Sequence, residues 1–131
     1  MAGIFAKIAS GEITSHKIAE DENFFAFLDI NPLVKGHTLV IPKIEIDYIF
    51  DMDDKLYTDF QLFAKRIAKA IKKAVPCKRI GVAIIGLEVP HAHIHLVPLN
   101  KMDDINFSRS KITISETELR EIADQIKSYL E

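Results

Sequence analysis

The sequence predicts an α+β fold: a mainly antiparallel five-stranded sheet with a long central helix and a C-terminal helix. Three observations carry that expectation. Residues 91–97 alternate histidine with apolar side chains, which is the period of a strand. Between Asp53 and Ala74 apolar residues recur every three to four positions, the period of a helix. Most neighbouring strand-like runs are joined by short turns, which antiparallel pairs permit and parallel pairs do not.

Of the 131 residues, 48% are hydrophobic, enough to close one core over a single domain, 1–131. The 17 basic and 19 acidic residues leave a net charge of −2, a balance that favours neither nucleic acid nor an anionic membrane as partner. No stretch approaches the ~20 apolar residues of a membrane span, and the N-terminus lacks a long apolar signal region. The single cysteine, Cys77, cannot form an internal disulfide, which suits a reducing cytoplasm.

Taken in order, Ile4-Phe5-Ala6-Lys7-Ile8-Ala9 is a short amphipathic turn or helix ended near Gly11. Lys17 to Glu20 makes a first strand, and Asp21-Glu22-Asn23 turns into a second, Phe24 to Leu28, aromatic enough to be buried. Asn31-Pro32 and Lys35-Gly36 mark a connection to a third strand, His37 to Ile41, stopped by Pro42. Residues 43–52 are less regular. In the long helix from Asp53 to Ala74, Leu56, Phe60, Phe63, Ile67 and Ile71 define the buried stripe. Asp51, Asp53 and Asp54 at its start and Lys69, Lys72 and Lys73 near its end match the helix dipole. The basic run from Lys65 to Arg79 is thus a solvated helix face at its favourable end rather than a nucleic-acid patch. Arg79 to Ile85 is a fourth strand and the histidine segment a fifth. Lys101 to Ile114 reads as an irregular connection. Ser115-Glu116-Thr117-Glu118 has a capping-box pattern and opens the last helix, with Leu119, Ile122, Ile126 and Leu130 inward.

Three of the five histidines lie at alternate positions of that fifth strand, His91, His93 and His95, with Ala92, Ile94 and Leu96 between them. As a half-buried strand it packs the apolar side on a core and presents a row of imidazoles on the other. One reading is a polar strand face that happens to be histidine. A second is a metal site. Neighbours two apart lie roughly 6.5 Å from each other and can share a zinc, but the outer pair lies roughly 13 Å apart, so a metal needs a further ligand from elsewhere. The third is an elongated anion site with a histidine nucleophile.

The run His91-Ala92-His93-Ile94-His95-Leu96-Val97 matches the histidine-triad (HIT) motif. Phe27-Leu28-Asp29-Ile30-Asn31-Pro32, Gly36-His37-Thr38-Leu39-Val40-Ile41-Pro42-Lys43 and Ile4-Phe5-Ala6-Lys7-Ile8 with Gly11-Glu12-Ile13 are similar to the segments that precede the triad in that family. Over roughly residues 3–98 the chain resembles the family's small, Hint-like nucleotide-binding branch. The resemblance implies a HIT-like fold, a homodimer joined edge to edge across its sheets, and hydrolysis or transfer at the α-phosphate of nucleoside 5′-monophosphate derivatives. It implies no cofactor and no metal.

It also implies roles. His93 corresponds to the nucleophile, with the opposite ring nitrogen held as N–H by the carbonyl of His91. A neutral imidazole can form a nucleotidyl-histidine that splits one hard displacement into two easier ones. His91, His95 and His37 would surround the phosphate and offset its charge. Asp29 resembles the acid that accepts hydrogen bonds from ribose hydroxyls. Ile4, Phe5, Ile8, Ile13, Phe27 and Ile30 resemble the apolar lining for a purine base. Taken alone, those six are ordinary core residues, and Asp29 is a turn residue before Asn31-Pro32. His16 lies outside every motif.

The chain departs from the family in three places. Gly3 and Ala6 stand where many relatives carry a zinc-binding cysteine pair. Ile84-Ile85-Gly86-Leu87-Glu88-Val89 is shortened and lacks the family's asparagine and hydroxyl, with Glu88 in place of the usual serine. The helix after Ser115 lies beyond the matched segment. The resemblance favours a purine nucleoside phosphoramidate as substrate. The alternatives are a dinucleoside polyphosphate hydrolase, a metal hydrolase using two triad histidines, and a purine-nucleotide-binding protein with little catalysis.

Overall fold

The protein is described by a computed structural model over residues 3–131. Helix α1 (Ile4–Ser10) leads into strands β1 (Lys17–Glu20), β2 (Phe24–Leu28) and β3 (Thr38–Pro42). Helix α2 (Asp54–Ala74) is followed by β4 (Arg79–Ala83), β5 (Ile94–Leu99) and helix α3 (Glu116–Ser128). Short 3₁₀ turns occupy Ile49–Asp51 and Met102–Ile105. The strands form one sheet in the order β1-β2-β3-β5-β4, every pair antiparallel.

Strand alternation sorts the side chains. Phe24, Ala26, Leu28, Val40, Ile94 and Leu96 face one way and join the buried stripes of α2 and α3 in the main core. Phe24 stacks on Phe60 with centroids 5.4 Å apart. Phe25, Phe27, Leu39 and Ile41 face the other way, where Phe5 and Ile8 of α1 cover them. The helix ends follow their sequence signals. Asp53 accepts a hydrogen bond from Leu56 N at 2.8 Å, and Ser115 accepts one from Glu118 N at 3.1 Å. Glu118 does not complete a capping box; its carboxylate pairs with Lys35 at 2.6 Å, which ties α3 to the turn before β3.

The histidine strand differs from expectation in extent and in burial. It runs from Ile94 to Leu99, so His91 and His93 precede it and Pro98 lies inside it. β3 pairs with β5 only from Thr38 to Val40, opposite Leu96 to Ile94. Before Ile94 the ladder gives way to other bonds: Ala92 N donates to Ile46 O at 2.7 Å, and His91 N to Val89 O at 2.8 Å. Beyond Leu96 the neighbour is β4, with Pro98 opposite Ile80, and a residue without an N–H is tolerated where only one side is paired. The imidazole side is as buried as the apolar side, because α1 and the segment after β5 lie over it. Likewise β3 starts one residue after His37 and continues through Pro42, and β4 ends at Ala83 instead of Ile85.

Gly36 is the one turn residue whose lack of a side chain is demanded twice. Its φ is +92°, and a Cβ there would meet Val75 Cγ2 at 3.0 Å and Pro98 Cγ at 3.1 Å. The backbone must therefore pass close to β5 in the residue before His37.

Candidate active site

Four histidines gather where β3 and β5 meet. His37, His91, His93 and His95 are 1%, 2%, 7% and 9% exposed. His93 and His95 lie 4.9 Å apart between ring centroids, His37 and His95 5.2 Å. The polar-surface reading of the row is thereby excluded: buried imidazoles need partners, and these have specific ones.

Backbone groups have fixed roles as donors or acceptors, so they decide the tautomers. His93 Nδ1 lies 2.7 Å from His91 O; a carbonyl only accepts, so the proton is on Nδ1 and Nε2 holds a lone pair. His91 Nε2 lies 2.8 Å from Pro42 O, so His91 is protonated there. Its Nδ1 is buried without a partner among the described residues. Leu33 N donates to His37 Nδ1 at 3.0 Å, which makes Nδ1 the lone pair and Nε2 the protonated nitrogen. His37 Nε2 then donates to His95 Nδ1 at 2.9 Å, leaving the His95 proton on Nε2. A lone pair and a donor therefore stand side by side, the first on His93 Nε2 and the second on His95 Nε2–H.

Burial favours the neutral form of His37, His93 and His95. It depresses the His37 pKa to about 3 and that of His95 to about 4, helped in each by positive charge on neighbouring histidines and Lys111. His93 is lowered too, chiefly by burial, against an upward pull from its bond to His91 and the charges of Asp29 and Glu88. Burial raises Asp29 above the usual carboxylate range.

The other expected residues divide. Phe5 packs edge-on to His93 at 5.1 Å and His91 at 5.9 Å, and Phe27 meets Phe5 at 5.8 Å. Ile8 is buried in the same small core. Ile4, Ile13 and Ile30 are 52%, 37% and 62% exposed. Ile8 and Ile13 also line a shallow hollow of about 320 Å³ with Phe25, Lys17 and Glu20, to which no histidine of the cluster contributes. Asp29 does serve its turn: Oδ1 accepts from Asn31 N at 2.9 Å, while Oδ2 lies 3.7 Å from His37 Nε2. His37, expected at the phosphate, has both ring nitrogens engaged and stands behind His95. His16 lies elsewhere, 3.1 Å from Glu116 of α3.

Asp29, His37 and His95 bring potential metal ligands within 4.8 Å of one another. The donor chemistry does not suit them. With Nδ1 of His37 accepting from Leu33 N, its Nε2 carries a proton and has no lone pair for a metal.

Sequence reasoning missed Phe107 and Arg109. Phe107 packs its ring edge-on to His95 at 4.8 Å and His37 at 6.2 Å. An aromatic residue within the polar run 101–114 was the available signal, but no periodicity supported it.

Residues 10–102 match the family model described as HIT domain. An adenosine 5′-monophosphoramidase of Saccharomyces cerevisiae is 42% identical over 98 residues, covering 74% of this chain and 62% of that protein. An adenosine 5′-monophosphoramidase of Schizosaccharomyces pombe is 32% identical over 132 residues, covering 99% of each chain. Among solved structures, a Hit-like protein of Bartonella henselae superposes with a TM-score of 0.83 at 34% identity, covering 98% of this chain and 96% of that one.

Proposed function

The chain belongs to the HIT domain family, and on that premise we propose that it hydrolyses purine nucleoside 5′-phosphoramidates through a covalent nucleotidyl intermediate on His93. The observation that carries this reading is the 2.7 Å bond from His93 Nδ1 to His91 O, which reserves Nε2 as a nucleophile. The monophosphoramidases of two yeasts among its relatives support the substrate class.

In the first step the Nε2 lone pair bonds to phosphorus and the phosphorus–nitrogen bond to the amine breaks. The amine leaves neutral, taking a proton from solvent. The imidazole becomes cationic, and the His91 carbonyl facing Nδ1–H stabilises that charge where it develops. His95 Nε2–H donates to an oxygen of the phosphoryl group. In the second step water attacks phosphorus and gives up a proton to solvent, the phosphorus–Nε2 bond breaks and the nucleotide departs, restoring neutral His93. Asp29, through Oδ2, accepts from the ribose. Ile4, Phe5, Ile8, Ile13, Phe27 and Ile30 shape the approach of the base, the exposed Ile4 and Ile30 as its outer wall. No step requires a metal.

The protein acts as a homodimer. β4 is an open sheet edge, and Val82, Ile85 and Leu87 on and beyond it are 57%, 47% and 89% exposed, an apolar border suited to a second copy.

The test is turnover of adenosine 5′-phosphoramidate by wild type and His93→Ala. AMP release by the first and not the second supports hydrolysis. AMP binding by both, with turnover by neither on any phosphoramidate or dinucleoside polyphosphate, supports a binding protein instead. The missing hydroxyl at Glu88 is the feature that favours that second reading.

A further inference from the structure

We propose that Arg109 is a positioning residue that sets the tautomer of His37 and, through it, the proton that His95 offers to the reacting phosphoryl group. Its consequence for turnover rests on the reading above; the tautomer itself does not.

Arg109 lies past residue 102, where the family match ends. Its guanidinium bridges two parts of the fold. One side meets Asp103 Oδ2 at 3.0 Å and Asp104 Oδ1 at 3.8 Å. Asp104 is 7% exposed, and its Oδ2 accepts from Asn100 N at 2.8 Å and Lys101 N at 3.1 Å, so it is fastened to the exit of β5. The other side donates through Nη2 to Leu33 O, in the turn before β3. Arg109 therefore joins the end of the strand that carries His95 to the residue that governs His37.

The neighbouring peptide is gripped as well. Ile112 N donates to Pro32 O at 3.0 Å, and Pro32 O belongs to the same peptide group as Leu33 N–H. Leu33 N–H is the donor to His37 Nδ1 at 3.0 Å. The two bonds hold the peptides on either side of Leu33, so the direction of its N–H is fixed, and the bond to Pro32 O polarises that N–H as a donor. Fixed in this way, the N–H keeps the His37 proton on Nε2, the 2.9 Å bond to His95 Nδ1 follows, and His95 retains Nε2–H. From the same loop, Phe107 seats against both rings. A merely structural role would be served by the Asp103 and Asp104 pairs alone. The reach across to Leu33 O is what links this loop to the chemistry.

The experiment is ¹⁵N–¹H correlation of the histidine rings in wild type, Arg109→Met and Arg109→Lys, with kinetics on adenosine 5′-phosphoramidate. Wild type should show single tautomers, His37 and His95 both protonated at Nε2. Arg109→Met should show averaged His37 and His95 nitrogens and a fall in kcat of about tenfold with KM nearly unchanged, as expected when a donor is misplaced without loss of binding. Arg109→Lys keeps the charge and one donor and should recover most of both. Single, unshifted His37 tautomers in Arg109→Met overturn the proposal, as does a rise in KM with kcat intact. If Arg109→Met does not fold, Arg109→Gln replaces it with the same criteria. If wild type releases no AMP, the functional reading fails while the ring spectra still decide the tautomer claim.

Discussion

The Nδ1 of His93 and the main-chain oxygen of His91 lie 2.7 Å apart, a contact between residues two apart that an extended strand does not make. It lies just ahead of the ladder that begins at Ile94. That contact is what places the His93 proton on Nδ1.

Acid should unfold this protein by way of its histidines. His37 has a native pKa of about 3 against 6.5 ordinarily, and His95 one of about 4. Between those native values and 6.5 the unfolded chain binds protons that the native rings refuse. Stability is therefore full above about pH 6.5 and is lost as pH falls toward 3. The melting temperature should drop through that window, and His37→Asn should show a shallower slope. Equal slopes in the two proteins would count against the assignment.

Glu88 should tune the nucleophile. Its negative charge supports the protonated form of His93 and raises that pKa. Removing the charge in Glu88→Ser lowers it, so the acidic limb of kcat/KM should move to lower pH. A limb that stays in place or moves upward contradicts this.

Gly36 should not tolerate a side chain. Gly36→Ala forces a left-handed residue and a methyl 3.0 Å from Val75 Cγ2, at a cost of about 1–3 kcal/mol in urea unfolding. A change below about 0.5 kcal/mol would show that the turn relaxes freely.

Asp29→Asn should weaken nucleotide affinity more than it slows chemistry. Asn retains an oxygen for Asn31 N, so the turn survives while the anionic acceptor for ribose is lost. A KM increase of about tenfold with kcat within threefold is expected; an unchanged KM would remove Asp29 from the ribose site.

The fold was legible where side-chain periods report on a nearby surface. The stripe Phe60, Phe63, Ile67 and Ile71 and the alternation of Ala92, Ile94 and Leu96 both mark residues of the main core. The burial of the histidines was not legible, because it depends on Phe5 and on Phe107, which come from segments far apart in the chain. The tautomers were hidden for the same reason: Leu33 and Pro42 hold the rings through main-chain atoms, which leave no residue-type signature. Arg109 read as one more charge in a polar loop, since its partner is a carbonyl 76 positions away.

The most direct measurement is the mass of the protein quenched, without acid, during turnover of adenosine 5′-phosphoramidate. The account predicts a gain of one adenylyl group, mapped to His93 and absent in His93→Gly. An adduct on any other residue, or AMP release by His93→Gly at the wild-type rate, would contradict it.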